Sequence, residues 1–156
     1  MKRLPAGIVI AGFVVLVAFI GGRATEMGMD WYRQLALPEF TPPGSVIGMV
    51  WTFIYLLGAI AAFLIWQTKD SSNSFKLLVG LLIANGLLNA MWSWLFFAYQ
   101  QIGLAIVEML LLNLTTLAII CLSWSRQKLA SLLLAPYFLW VTFATYLAYT
   151  IWQLNR

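Results

Sequence analysis

Of the 156 residues, 63% are hydrophobic and only 9% are charged, against about a quarter in soluble domains, which excludes a water-soluble globule. The net charge of +4 is spread thinly along the chain, so it bears on orientation in a membrane and not on nucleic-acid binding. With no histidine and a single cysteine, Cys121, a His-ligated haem or zinc site and an internal disulfide are both excluded.

Five apolar segments predict helices over about 6–22, 46–66, 75–98, 103–124 and 130–153, hence an all-α integral membrane protein, one five-helix transmembrane domain over 1–156. Pro5 suits a first helical turn and Gly21-Gly22 an end for the first helix. No signal-peptide cleavage site and no Arg-rich transit peptide is evident before Gly21-Gly22.

Between the first two helices, Trp31–Gly44 (W-Y-R-Q-L-A-L-P-E-F-T-P-P-G) cannot cross a bilayer. Pro38, Pro42 and Pro43 remove backbone donors and favour extended conformations before them. The segment still carries Trp31, Tyr32, Leu35, Leu37 and Phe40. Two readings stand: a stiff aromatic lid folded onto one end of the bundle, or an interfacial loop whose rings sit among lipid headgroups.

Ser45 is a candidate N-cap for the second helix, which at 21 residues reaches about 31 Å and spans the hydrocarbon core. Its Trp51, Tyr55, Gly58 and Ala62 share a face. After the polar break Lys69–Ser74, the third helix aligns Asn85, Asn89, Trp92 and Phe96; side-chain amides at bilayer depth need partners, which points them inward. Gly86 and Ala90, about 100° round the same helix, form a small-xxx-small pair for helix contact within the monomer or across a dimer. Tyr99-Gln100-Gln101 joins the third and fourth helices tightly. Glu108, five residues into the fourth, is an intramembrane acid that either faces the interior or snorkels and caps. Pro136 predicts a kink early in the fifth helix, where Tyr137, Trp140, Ala144 and Leu147 share a face.

These faces together either line an aromatic pocket for a flat apolar ligand or serve as ordinary packing and interfacial belts. No nucleophile–base pair, carboxylate dyad or phosphate-binding glycine loop is present, so hydrolytic chemistry has no support and no metal site is expected. Counting Lys2, Arg3, Lys69, Lys76, Arg126 and Lys128 against Arg23, Arg33 and Arg156 predicts a cytoplasmic N-terminus and an outward-facing lid.

Three blocks of this sequence resemble the TspO/MBR family, which comprises translocator proteins and tryptophan-rich sensory proteins. W-Y-R-Q-L-A-L-P-E-F-T-P-P at Trp31–Pro43 is close to W-Y-x-x-L-x-x-P-x-W/F-x-P-P. N-G-L-L-N-A-M-W-S-W-L-F-F at Asn85–Phe97 is like the N-x-x-W-x-x-x-F-F block. The segment Pro136–Asn155 follows P-Y-x-x-W-x-x-F-A-T-x-L-N-x-x-x-W-x-x-N. The resemblance implies a five-helix bundle, often a homodimer, in the bacterial cell membrane. It also implies binding of porphyrins such as protoporphyrin IX and of synthetic isoquinolines and benzodiazepines, with no cofactor required. The pocket positions it implies are Trp31, Trp51, Asn85, Asn89, Trp140, Ala144 and Leu147; Tyr55, Trp92 and Tyr137 join them by helical spacing. Light-dependent porphyrin breakdown would place Trp31 and Trp140 in the photochemical role. Transport of porphyrins or other amphipathic molecules is the alternative function. Ala148 departs from the family's Asn, and six residues separate Tyr149 from Arg156, one too many for the proposed sterol pattern.

Overall fold

A computed structural model describes residues 5–156; Lys2 and Arg3, two of the basic residues counted for orientation, lie outside them. The chain forms α1 (Ala6–Tyr32), α2 (Gly44–Gln67), α3 (Asn73–Ser93), a π-helical turn (Trp94–Ala98), α4 (Ile102–Trp124) and α5 (Lys128–Leu154). The segments α1, α2, α3 with its π-turn, α4 and α5 are each long and apolar enough to cross a membrane. Their principal contacts run α1–α2–α5–α4–α3 and back to α1, so the helices close a ring around a central space.

The first helix is ten residues longer than the sequence suggests. Gly21-Gly22 does not end it, because its small residues serve packing. Val17, Gly21, Ala24 and Gly28 are its buried residues and recur along one face. A Cβ on Gly28 would stand 2.2 Å from the Phe97 carbonyl oxygen, so only glycine lets α1 approach the π-turn backbone this closely. Pro5 precedes this helix at the N-cap position instead of lying within its first turn.

At α2 the helix starts one residue before Ser45, and Pro43 occupies the N-cap position. Its carbonyl accepts from the Val46 and Ile47 amides, so helical bonding begins directly after the proline pair. By contrast Ser72 is a true cap: its Oγ accepts from the Phe75 amide at 3.2 Å. Pro136 lies within α5, which continues on both sides of it.

The lid-end terminus of the third span departs from α geometry. The Tyr99 amide donates to Trp94 O at 2.8 Å and the Gln101 amide to Leu95 O at 2.8 Å; Gln100 then takes φ 57°, in the left-handed region. The wider turn buries the consecutive Phe96 and Phe97, which regular α spacing would point about 100° apart.

Residues 33–43 fold back onto the bundle, as the lid reading expects. Asn155 latches them to the end of α5: its Oδ1 accepts from Ala36 N and its Nδ2 donates to Ala36 O, both at 2.9 Å. The Phe40 ring stacks on Tyr146, with centroids 5.5 Å apart. At the far end Arg126 donates to Asp70 at 3.0 Å and to Ser72 and Ser74 at 2.7 Å each, tying the two connecting loops together.

Candidate functional site

The central space contains two cavities. The lid-end cavity, of about 480 Å³, is walled by α1, α2, α3 with its π-turn, and α5. Three indoles, Trp51, Trp92 and Trp140, form much of its surface. Trp51 and Trp92 lie nearly parallel with centroids 6.4 Å apart, and Trp140 packs on Phe143 at 5.4 Å. The Nε1 atoms of Trp92 and Trp140 are buried with no hydrogen-bond partner. Indoles and phenyl rings in the wall suit a ligand with a flat apolar body.

A hydrogen-bonded layer floors this cavity. The Tyr55 hydroxyl donates to Asn89 Oδ1 at 2.6 Å, and Asn89 Nδ2 donates to the Tyr137 hydroxyl at 3.0 Å. Asn89 and Tyr137 are buried, so the chain Tyr55–Asn89–Tyr137 pairs groups that would otherwise be costly in an apolar interior. Tyr55 and Asn89 face both cavities, whereas Tyr137 faces the second one only.

The sequence-derived residues divide accordingly. Trp51, Tyr55, Asn89, Trp92, Trp140, Ala144 and Leu147 converge on the lid-end cavity. Asn85 does not. Its Nδ2 is engaged by Leu112 O at 3.2 Å and by the Thr115 and Thr116 hydroxyls at 2.9 Å each, which ties α3 to α4 and places Asn85 on the second cavity. Trp31 closes α1 and lies edge-on to Phe96 at 5.9 Å; Phe96 in turn meets Trp92 at 5.5 Å. Trp31 thus stands behind the wall, and no residue of 33–43 lines the cavity.

Two alternatives left open by the sequence are decided. Glu108 neither snorkels nor caps: it is 3% exposed, and neither carboxyl oxygen has a partner. A Cβ on Gly86 would stand 2.6 Å from the Phe13 ring, so this small-residue face receives α1 within the protomer. Phe97 as a lining residue and the Asn155 latch escaped sequence reasoning, whereas Phe143 adjoins the α5 face read from helical spacing. Only the polar residue closing an apolar helix signalled the latch.

Against this geometry the comparisons with known proteins are decisive. The model of the TspO/MBR family matches residues 9–153. The chain belongs to the TspO/MBR family. It is 38% identical over 125 residues to tryptophan-rich protein TspO of Bacillus cereus, covering 80% of each chain. It is 34% identical to tryptophan-rich protein TspO of Chlorobaculum tepidum, over 99% of this chain and 98% of that one. To the translocator protein of Homo sapiens the identity is 32%, over 97% of this chain and 93% of the human one. TspO/MBR membership and five apolar spans make this an integral membrane protein, and membership supports a sensor or receptor role in general terms.

Proposed function

We propose that the lid-end cavity is a receptor site for porphyrins of the protoporphyrin IX type, also open to synthetic isoquinolines and benzodiazepines. The observation that carries this reading is an aromatic cavity of about 480 Å³ walled by the indoles of Trp51, Trp92 and Trp140. A volume of this size falls within the ~300–1,000 Å³ of ligand sites. A macrocycle lying on indoles gains dispersion and apolar burial, each aromatic contact adding ~0.5–1.5 kcal/mol beyond area.

Light-dependent breakdown belongs to the same proposal. The porphyrin absorbs the photon and, once excited, takes one electron from an indole, leaving an indole radical cation. Dissolved dioxygen is the co-oxidant that opening of the macrocycle requires, and the protein supplies orientation and that electron. Trp140 does this from the wall, and Trp31 acts through Phe96. The protein works as a homodimer in the cell membrane with a cytoplasmic N-terminus. TspO/MBR membership and the five apolar spans support the membrane setting. The excess of basic residues at the far end supports the orientation.

Titrating purified protein with protoporphyrin IX in darkness, then illuminating it, tests both parts. Trp140→Phe keeps most of the burial, so affinity should stay within about tenfold, ~1.4 kcal/mol. Light-dependent loss of porphyrin absorbance should fall much further, and Trp140→Ala should weaken both. Absence of saturable binding would end the receptor reading. Unchanged breakdown in Trp140→Phe would end the indole's chemical role. For orientation, Ser71 is the better cysteine position, since Ser72 caps α3. In a Cys121→Ala background, Ser71→Cys should resist an impermeant thiol reagent in intact cells.

A further inference from the structure

The second cavity differs in chemistry from the first. It holds about 320 Å³ between α1, α2 and α3, with parts of α4 and α5, on the side away from the lid. Among the described residues, no charged residue lines it. Its polar neighbours are largely engaged within the protein: Tyr55, Asn89 and Tyr137 with one another in the layer above, and the Asn85 Nδ2 with Leu112, Thr115 and Thr116. What faces the space is therefore aliphatic and aromatic carbon. Gly58 adds room, because no atom stands within 4 Å of where its Cβ would be.

The cavity also reaches the outside of the bundle. Val9, Ile83 and Trp66, from three different helices, line it and remain 55%, 48% and 37% exposed. In a membrane-spanning bundle these exposed apolar faces look onto lipid tails. Beside that rim the Lys69 ammonium sits 5.7 Å from the Trp66 ring centroid. A cation on an indole at the end of a span marks headgroup depth.

We propose that this cavity is a lipid site: one acyl chain of an anionic phospholipid enters between α1, α2 and α3, and its phosphate lies at Lys69. The Tyr55–Asn89–Tyr137 layer stops the chain and separates it from the lid-end cavity. The site is distinct from the porphyrin reading, and its test uses no porphyrin.

The full-length protein would be placed in nanodiscs containing phosphatidylglycerol with a photoactivatable diazirine midway along one chain. Mass spectrometry then locates the label. The expected adducts fall on Phe13, Gly58 and Ala62, and Gly58→Leu should cut them at least fivefold. Ala62→Leu fills the same space from the next turns of α2 and gives an independent variant should Gly58→Leu fail to fold. Lys69→Gln should lower phosphatidylglycerol labelling about threefold and leave phosphatidylcholine labelling unchanged. Labels confined to bilayer-facing residues such as Val15 and Phe19, or cavity adducts undiminished in both filling variants, would overturn the site. Equal labelling by the two lipids would overturn the headgroup assignment.

Discussion

The two cavities are built from the same ring of helices, yet their walls differ in kind. Toward the lid, α2, α3 and α5 contribute Trp51, Trp92 and Trp140, and two indole N–H groups are left without acceptors. Away from the lid, α2 and α3 present Gly58, Ala62, Leu82 and Ile83, and the Asn85 and Asn89 amide nitrogens there are already paired. The side chains of this ring of five helices leave part of the central space unfilled. Which part of it can hold a planar aromatic molecule depends on where the indoles line it. The dividing layer is one residue deep, Asn89 between two tyrosines, and it reads as part of both sites.

The strongest way to break this arrangement is at Gly28. Gly28→Ala would drive a methyl group into the Phe97 carbonyl, against backbone that cannot yield. We expect at least ~3 kcal/mol of destabilisation, at the upper end of overpacking effects, and a correspondingly lower melting temperature in detergent. Gly22→Ala, in the same helix, has nothing within 4 Å and should melt like the wild type. Equal melting of the two variants would mean that α1 does not lie against the π-turn.

Asn89→Leu sharpens the comparison directly. It leaves the Tyr55 and Tyr137 hydroxyls without their shared partner and should cost ~1–3 kcal/mol in thermal stability. Adding Tyr55→Phe and Tyr137→Phe to that variant removes the stranded hydroxyls and should restore part of the loss. A triple variant no more stable than Asn89→Leu would deny that the layer acts as a hydrogen-bonded unit.

The smallest effect is expected at the exposed far end. Hydrogen bonds from the Ser72 side chain and backbone, joined by Arg126, lower the Asp70 pKa to about 2. A carboxyl depressed in the folded state stabilises it above the unfolded value of ~3.9, and that contribution is lost as pH falls toward 2. The melting temperatures of wild type and Asp70→Asn should therefore differ most above pH 5 and converge by about pH 2. A gap that persists at pH 2 would assign the effect to something other than this carboxylate.

Much of the bundle was legible because its signals are local. Runs of apolar residues gave five spans, since backbone groups in lipid must be satisfied within a helix. Helical spacing put Trp51 with Tyr55, Asn89 with Trp92, and Trp140 with Ala144 and Leu147 on shared faces, and these faces do meet at one cavity. The proline-rich segment after α1 showed that it could not be a span.

What the sequence could not decide was which neighbour each face would meet. Gly21-Gly22 reads as a helix end, yet these residues lie within α1, because close packing rewards glycine as surely as a turn does. Asn85 and Asn89 stand one turn apart on one face. One ties α3 to Thr115 and Thr116 on α4, and the other joins Tyr55 and Tyr137 from α2 and α5. Trp31 carries a family block but lies behind Phe96, because α1 runs on to Tyr32 and the π-turn swings two phenylalanines into the gap. Each of these outcomes depends on a partner distant in sequence, and only the packed ring brings the partners together.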